Sequence, residues 1–460
     1  MKKLFTVIVL LLLAVIILFL AYAAITFPPV MAGMASKTMC SCTFIGGRTM
    51  ESVRQKELKV FPGLSDASIT INMQDSSVEA TVFWRTSRSI YRKGLGCTLL
   101  ADLSEREIRA KRIDLAPLPP TDSLSWPTEA LFDSLHPQSI DQRMIEAALD
   151  KAFEEVDPER PKNTAAVVVV HNGKIVGERY GNGWDRNDKL MGWSMTKSVT
   201  SALIGILVHE GKLKVDAGAL VSEWANDERK NVTLNNLLQA TSGLSWSESY
   251  FVPTSHFHNM FIRSDDKAGY AASLKLKFKP GERFEYSSGT TNILSRMIRH
   301  TVGDALYYRF PYERLFYKIG MNHTMMEPDG SGTFVGSSYC YGTARDWAKF
   351  GLLYLNDGVW NGERILPEGW VKYTTTPSAA AERGEYGAQW HLNAGAKGNP
   401  ENRKLPGLPT DAYWADGFEE QWVMVIPSHH LVVVRLGVSH HGFDFTGLVN
   451  NILSAIKEEL

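Results

Sequence analysis

The chain opens with an unbroken apolar segment. Residues 4–25 form a run of 22 residues without a charged side chain. A signal-peptide core has about 7–15 apolar residues and a spanning helix needs about 20, so this length predicts a transmembrane anchor over residues 1–26. Lys2 and Lys3 precede the run, and the next basic residue is Lys37. The positive-inside rule then predicts that the N-terminus stays in the cytoplasm and that the rest of the chain is exported.

A cleaved signal peptide is the alternative for this segment, because Ala21-Tyr22-Ala23 offers a small-x-small cleavage site. A buried helix of a soluble domain is disfavoured, because the run is apolar on all sides. The expected location is therefore a bacterial inner membrane with the main domain facing the periplasm, or a secreted protein if the segment is removed.

The pattern after the anchor predicts a small β-rich unit over residues 27–115. Residues 43–45, 67–72 and 79–84 are rich in β-branched or aromatic side chains, and the second of these segments alternates strictly between apolar and polar positions. Such segments are typical of short strands. Prolines interspersed with Ser and Thr over residues 116–139 predict a linker.

Stronger periodic patterns over residues 140–460 predict one large α+β domain. An Asn172-Gly173 turn joins two strand segments near its start, and helical patterns then dominate to about residue 375. The elements that carry this interpretation are a helix over 144–153, strands over 165–170, 175–180, 421–427 and 431–436, and a final helix over 448–460. Strands at both ends with helices between them indicate one sheet built from the two termini of the domain and covered by helices.

Composition and charge exclude several classes of protein. Lys plus Arg number 49 and Asp plus Glu number 50, so no basic excess exists to bind nucleic acid. Apolar residues make up 44% and charged residues 22%, as in a folded globular chain. Four cysteines are too few for a disulfide scaffold. After export, a bridge from Cys40 or Cys42 to Cys97 is expected, and Cys340 is expected to be a core thiol.

Two histidine pairs are candidate metal ligands. His256 and His258 form one pair, and His440 and His441 form the other. No carboxylate at a recognisable spacing accompanies either pair, so loop or surface histidines are the favoured interpretation. No metal and no organic cofactor are predicted.

The candidate chemistry begins at Ser194 and Lys197. They are three residues apart at the start of an apolar segment, residues 198–208, that predicts a buried helix, so both side chains should share a face of its first turn. A lysine can take the proton of a serine hydroxyl if burial lowers the pKa of its amine. The N–H groups of the helix N-terminus can stabilise a developing oxyanion. The alternative is an ordinary helix cap followed by a solvated lysine, and the apolar helix argues against it.

Tyr286 is the third candidate. It lies in a polar and aromatic loop, residues 284–292, that precedes an amphipathic helix. A tyrosine beside Ser194 and Lys197 would be able to pass a proton to the leaving group. The alternative is a capping loop with a packed tyrosine.

These motifs together resemble the penicillin-recognising serine hydrolase superfamily. Ser194-Met195-Thr196-Lys197 matches its S-x-x-K motif, and Tyr286-Ser287-Ser288 matches its second motif. The resemblance covers roughly residues 140–460 and is strongest to the class C β-lactamase-like branch, in its esterase and 6-aminohexanoate-dimer hydrolase subgroup. It implies an antiparallel sheet flanked by helices, with a helical subdomain. It also implies hydrolysis of a small-molecule ester, amide or short peptide through a covalent acyl-serine.

The third family motif, Lys-Thr-Gly, is replaced by Ala415-Asp416-Gly417-Phe418. The resemblance implies that the N–H groups of Ser194 and Phe418 form the oxyanion hole. Further pocket candidates are Ser288, Gly417, Trp193 and Trp414. Glu420 stands where related members often carry glycine, so the local strand geometry is expected to differ.

The missing basic residue normally helps to hold a substrate carboxylate, which disfavours β-lactam and D-Ala-D-Ala substrates. A D-amino-acid carboxypeptidase or weak β-lactamase remains the alternative within the enzymes. A sensor or scaffold that acylates without turnover is the alternative of another class.

Overall fold

The structure is a computed structural model that describes residues 2–111, Trp126, 140–218, 221–440 and 442–456. The predicted linker 116–139, apart from Trp126, and the end of the predicted final helix lie outside these residues. The helices are α1 (Lys2–Phe44), α2 (Met50–Gln55), α3 (Glu105–Ala110), α4 (Gln142–Phe153), α5 (Met195–His209), α6 (Leu234–Leu238), α7 (His256–Arg263), α8 (Lys267–Ser273), α9 (Ser288–Val302), α10 (Asp304–Tyr307), α11 (Ala344–Leu355), α12 (Trp370–Thr374) and α13 (Phe445–Ala455).

The strands of the described residues are mostly short, apart from those of the main sheet and of the N-terminal unit. They are β1 (Ser68–Asn72), β2 (Ser77–Val82), β3 (Arg85–Arg92), β4 (Gly96–Leu99), β5 (Thr164–His171), β6 (Lys174–Tyr180), β7 (Leu190–Met191), β8 (Met325–Met326), β9 (Cys340–Gly342), β10 (Val359–Trp360), β11 (Glu363–Arg364), β12 (His391–Leu392), β13 (Tyr413–Gly417), β14 (Gln421–Ile426) and β15 (Leu431–Gly437).

The main sheet has six antiparallel strands in the order β12-β13-β14-β15-β5-β6. Strands from the two ends of the domain meet where β15 pairs with β5, so the sheet predicted from both termini is confirmed. Side chains of β5 alternate between the two faces, because successive residues of a strand point in opposite directions. Val167 and Val169 enter the core on one face, and Val168 and Val170 enter the core on the other.

Helices cover both faces of this sheet. α4 and α13 pack on one face through residues such as Ile145 and Val449. α5 and α11 pack on the other face, where a Cβ added to Gly351 would lie 2.5 Å from Val432 Cγ1. Helices α6 to α9 contribute to the core on this second face, through residues such as Leu237, Phe261, Ala271 and Ile293. The predicted α+β fold, with helices flanking an antiparallel sheet, is confirmed.

Helix α1 has two parts with opposite environments. Its first part is the apolar run, in which Leu4 is 67% exposed. Among the described residues, α1 is the one helix that is long and apolar enough to cross a membrane. The helix continues through Pro28 and Pro29. Val30 beyond them is only 4% exposed, because the second part packs inside the N-terminal unit.

The strand predicted over residues 43–45 was wrong, since Thr43 and Phe44 end helix α1. The reason is tertiary packing: Ala32, Ala35 and Met39 bury a helical face against the four-stranded antiparallel sheet β1-β2-β3-β4. Phe44 continues this packing by stacking on a tyrosine ring of β3. This burial outweighs the β propensity of the segment. The other two predicted strands are confirmed as β1 and β2.

The N-terminal unit has an internal crosslink and buried polar contacts with the main domain. A disulfide joins Cys40 of α1 to Cys97 of β4. Lys37 of α1 forms a buried ion pair with Glu327 of the main domain, with Nζ and Oε2 2.6 Å apart. The backbone N–H of Cys97 also donates to Glu327. The two remaining cysteines are free and buried, namely Cys42 and Cys340.

Candidate active site

Ser194 and Lys197 meet at the N-terminus of α5. Ser194 is the N-cap residue of this helix, and the Lys197 ammonium donates a hydrogen bond to Ser194 Oγ at 2.9 Å. The same ammonium donates to Ser288 Oγ and to the Ser337 carbonyl, both at 3.0 Å. Three acceptors therefore hold the amine beside the serine hydroxyl. The structure brings the two residues together on one face, as their spacing predicts.

Burial changes the acidity of this amine. Lys197 is 2% exposed, and burial lowers its pKa from 10.5 to about 8, although the carboxylates of Glu248 and Asp416 oppose this shift. An ammonium without water loses solvation energy, so its neutral form is favoured. A minor fraction of Lys197, about a tenth at pH 7, is then neutral and able to accept a proton.

Tyr286 lies close to both Ser194 and Lys197. The Lys197 Nζ is 4.8 Å from the centre of the tyrosine ring. Burial raises the pKa of the Tyr286 hydroxyl well above 10, and a hydrogen bond with Ser194 opposes this rise. The phenol therefore keeps its proton at neutral pH and is suited to donate it. The structure thus brings together the hydroxyl, the amine and the phenol that the sequence analysis singled out.

The turn that presents Ser194 is strained and tightly packed. Trp193 has φ +48°, a left-handed conformation that is uncommon for a bulky residue. A Cβ added to Gly192 would lie 2.4 Å from the ring of Trp347. The Trp193 indole N–H donates to Glu419 Oε2 at 2.8 Å. Such strain persists only where surrounding contacts fix it, and it is common at catalytic turns.

The end of strand β13 lies directly against this turn. A Cβ added to Gly417 would be 2.2 Å from the carbonyl oxygen of Gly192, so only glycine allows the strand to come this close. The next residue, Phe418, packs edge-on against the ring of Trp193 with centroids 5.4 Å apart. Phe418 and Ser194 both line the same cleft.

Glu420 lies in the hairpin turn that follows β13. Glu419 and Glu420 both have φ +64°, a conformation that glycine adopts most easily. Glu420 adopts it nevertheless, and β13 and β14 still pair in register through Gly417 and Gln421. The expectation that the strand geometry would differ was wrong: the strain is confined to the turn.

A cleft of about 600 Å³ opens beside Ser194. Its wall combines aromatic and charged side chains: Ser194, Tyr250, Phe284, Tyr286, Arg383, Glu385, His391, Lys404, Asp416, Gly417, Phe418, Glu419, Glu420, Trp422, Ser439 and His440. Asp416, in the middle position of the replaced third motif, gives the cleft a carboxylate. Lys404 approaches Asp416 from another loop, with Nζ 3.6 Å from Oδ2. Burial raises the pKa of Asp416, and Lys404 opposes this rise.

The remaining pocket candidates support the wall of the cleft. Ser288 accepts a hydrogen bond from Lys197. Trp193 turns its indole N–H back toward Glu419. Trp414 is fully buried and stacks on the His391 ring, which itself lines the cleft. Trp414 therefore lies behind the cleft wall.

Glu248 is a site residue that the sequence analysis missed. Its carboxylate accepts hydrogen bonds from the Ser288 N–H at 2.9 Å and from the Ser288 hydroxyl. It also accepts from the indole of Trp246. A chain of hydrogen bonds thus runs from Glu248 through Ser288 to Lys197 and Ser194. The local signal was weak, because a single acid between serines does not show which distant side chains it meets.

The first histidine pair lies in a helix. His256 and His258 lie in helix α7, and His258 is buried, so their interpretation as loop or surface residues was wrong. The hydroxyl of Ser255 caps this helix by accepting from the N–H of His258. His441 lies outside the described residues. Within the described part of the chain, no group of three or more His, Cys, Asp or Glu side chains is placed to hold a metal ion.

Comparisons with known proteins agree with this architecture. A 6-aminohexanoate-dimer hydrolase of Paenarthrobacter ureafaciens is 24% identical over 264 residues, which are 51% of this chain and 66% of that protein. Among solved structures, a candidate 6-aminohexanoate-dimer hydrolase from Bacillus anthracis has 23% identity and a TM-score of 0.55, covering 73% of this chain and 87% of its own. A family VIII carboxylesterase has 16% identity and a TM-score of 0.55, covering 70% and 99%.

The solved structures share the fold with this chain, and their identities are too low to transfer an activity. The family evidence comes from a family model described as Beta-lactamase, which matches residues 149–453. This range contains the strained turn, the S-x-x-K helix and the strand that ends at Gly417. Because the match covers well over half of the 460 residues, the chain belongs to the β-lactamase family.

Proposed function

We propose that this protein is a serine hydrolase that cleaves an ester or amide bond through a covalent acyl-serine intermediate. The observation that carries the proposal is the buried amine of Lys197, which lies 2.9 Å from Ser194 Oγ and has its pKa lowered to about 8. A nucleophilic hydroxyl needs an adjacent group that can accept its proton, and this pair meets that requirement.

The proposed steps use the groups that line the cleft at Ser194. Lys197 takes the proton of Ser194, and Oγ bonds to the substrate carbonyl carbon. The oxyanion of the tetrahedral intermediate accepts hydrogen bonds from the N–H groups of Ser194 and Phe418. Tyr286 donates its proton to the leaving oxygen or nitrogen as that bond breaks, and it is reprotonated by the ammonium of Lys197. Water then attacks the acyl-serine with the same groups acting in reverse, which releases the acid and restores Ser194.

The charge of the cleft favours some substrates over others. Ala415 takes the place of the basic residue that would hold a substrate carboxylate, and the neighbouring Asp416 adds negative charge, so β-lactams and peptides ending in D-Ala are disfavoured. Lys404 compensates part of this charge from a different position. Esters, linear amides and short peptides without a carboxylate near the scissile bond are the proposed substrates, and D-amino-acid carboxypeptidase activity is the alternative.

The proposed location follows from α1. Its exposed apolar part, residues 4–25, is the proposed anchor in a bacterial inner membrane, and the catalytic domain faces the periplasm. The proposed organisation is an anchor over 1–26, a membrane-proximal unit over 27–115, a linker over 116–139 and a catalytic domain over 140–460.

A fluorophosphonate tests the nucleophile directly. The full chain in detergent is incubated with the reagent, and intact mass and peptide mapping locate the adduct. One adduct on Ser194 is expected, with none in the Ser194→Ala variant. An active-site adduct on another residue, or no adduct in the unsubstituted chain, would contradict the proposal. Steady-state hydrolysis of p-nitrophenyl butyrate then separates an enzyme, which turns over repeatedly, from a sensor or scaffold, which releases one equivalent of p-nitrophenol.

A further inference from the structure

A second, apolar cavity lies beside the catalytic cleft. It is a groove of about 260 Å³ between the second part of α1 and the loop that precedes α7. Its lining includes Phe27, Met31, Met34, Phe61, Tyr250 and Phe251. We call it the α1 groove. A concave surface lined by aromatic and Met side chains is suited to a flexible hydrocarbon.

The α1 groove lies at the end of the exposed apolar run. The Tyr22 hydroxyl is 2.9 Å from the hydroxyl of Thr254. The Arg263 guanidinium donates to the Thr26 carbonyl at 3.1 Å and to the Pro253 carbonyl at 2.7 Å. These contacts hold the loop before α7 against the helix just where its exposed part ends.

The same loop carries large apolar side chains into solvent. Phe251 is 78% exposed and Val252 is 47% exposed, next to the point where the proposed anchor leaves the bilayer. Exposed apolar side chains beside a membrane segment are typical of a surface that contacts lipid. The bilayer is therefore the neighbour that the mouth of the α1 groove would meet.

Tyr250 connects this groove to the site of chemistry, because it lines both the α1 groove and the catalytic cleft. Its ring packs against Phe257 at 4.6 Å and against Phe418 at 5.8 Å between centroids. Its hydroxyl donates to Glu248, the carboxylate that holds Ser288. One aromatic side chain thus forms the boundary between the apolar groove and the cleft that contains the nucleophile.

We infer that the α1 groove binds the hydrocarbon tail of an amphiphilic ester or amide drawn from the membrane, while its carbonyl lies at Ser194. The inference rests on the proposed hydrolase function for the reacting end and on the proposed anchor for the position of the groove. Binding of a tail does not itself require turnover, so the two proposals are separable by experiment.

Chain-length selectivity tests the inference in the full chain reconstituted in lipid nanodiscs. For p-nitrophenyl esters from butyrate to octanoate, kcat/KM is expected to rise about fourfold for each methylene that enters the groove. Met34→Trp fills the groove and is expected to lower the octanoate-to-butyrate ratio by about tenfold or more, whereas Met34→Leu preserves it. A ratio that is the same in Met34→Trp as in the unsubstituted chain would overturn the inference.

An exposed position gives a second variant that does not depend on core packing. Phe251→Ser removes one wall of the groove and is expected to lower the same ratio several-fold. Phe83→Ser is its matched control, because Phe83 is 76% exposed on the β2–β3 turn, away from the groove lining. Equal ratios in the two serine variants would also count against a tail site.

A photo-crosslinking readout is independent of catalysis. The Ser194→Ala chain in nanodiscs is loaded with palmitic acid that carries a diazirine on its chain, irradiated and mapped by mass spectrometry. Adducts on residues 27–34 are expected, and Met34→Trp should suppress them. Adducts confined to residues 4–25 would overturn the inference. If groove adducts form but the unsubstituted chain hydrolyses no ester, the tail site is kept and the proposed hydrolase function is refuted.

Discussion

Lys197→Met separates the chemistry of the site from the stability of the fold. The fold holds the Lys197 ammonium in a buried position, and burial lowers its pKa from 10.5 to about 8. That difference corresponds to about 3 kcal/mol against folding whenever the amine is charged in both states. Methionine has a similar length and no charge, so it removes this cost together with the proposed general base.

The pH dependence gives the sign of the effect. Between pH 8 and 10.5 the unfolded chain binds a proton at Lys197 that the folded chain does not bind. The free energy of unfolding therefore rises with pH in this window, and below it the full cost is present. From about pH 7 to about pH 9.5 the contribution of Lys197 should improve by about 2 kcal/mol, a change that Lys197→Met lacks.

Hydrogen bonds lost in the variant act in the other direction. Lys197 donates to Ser194, Ser288 and Ser337, and each such bond contributes about 1 kcal/mol net. Their loss can cancel the gain in absolute stability at any single pH. The loss of the bonds donated by the ammonium is a fixed term, and any change as the amine loses its proton is already contained in its pKa shift, so the difference in pH dependence isolates the titration of the amine.

The assay is urea denaturation of the full chain in detergent, followed by tryptophan fluorescence at several pH values. Lys372→Met is the control, because Lys372 is exposed and its replacement makes the same change in composition. In parallel, kcat/KM of the unsubstituted chain should increase with pH and level off above about 8, and Lys197→Met should lower it by at least about a hundredfold. Parallel pH profiles of stability for Lys197→Met and the unsubstituted chain would refute the reasoning.

Three further predictions concern two residues of the site and the ion pair that joins the N-terminal unit to the main domain. Tyr286→Phe should lower kcat by about a hundredfold or more while the fluorophosphonate still labels the chain, since the phenol is proposed to serve the leaving group; unchanged kcat would exclude that role. Gly417→Ala places a Cβ 2.2 Å from the Gly192 carbonyl and should lower kcat/KM about a hundredfold by moving the strand edge, as measured with p-nitrophenyl butyrate. Glu327→Gln leaves the Lys37 ammonium buried without its partner and should lower the free energy of unfolding by about 3–5 kcal/mol, which urea denaturation would detect.

The sequence predicted best those features that depend on neighbouring residues. The Asn172-Gly173 turn and the strands on either side of it were recognisable because turn type and alternation are local properties. Ser194 and Lys197 were recognisable for the same reason, since a spacing of three places both side chains on one helix face. The main sheet followed from strand signals at both ends of one domain.

Features that depend on distant partners were missed. Glu248 meets Ser288 across 40 positions of sequence, and nothing in its own neighbourhood announces this contact. Residues 43–44 have strand propensity but end a helix, because the face of α1 that precedes them is buried. Glu420 was expected to disturb the strand, yet it adopts a left-handed conformation in the turn and the strand pairing is kept. In each case packing or a long-range hydrogen bond decided the outcome.

The N-terminal unit packs behind the turn that carries Ser194. Cys42 at the end of α1, together with Arg48 and Glu57, surrounds a small cavity with Trp193 and Glu419. Burial raises the pKa of Glu419 to about 8, and the nearby carboxylate of Glu57 adds to this rise, while the hydrogen bond from Trp193 opposes it.

Glu419, which accepts a hydrogen bond from Trp193 in the strained turn before Ser194, is therefore shielded from water in part by the N-terminal unit. Without that unit, Glu419 would face water and ionise at lower pH, and its contact with the Trp193 indole would compete with solvent. The unit then forms the rear wall of the turn that carries Ser194, and the buried ion pair of Lys37 with Glu327 ties it to the main domain.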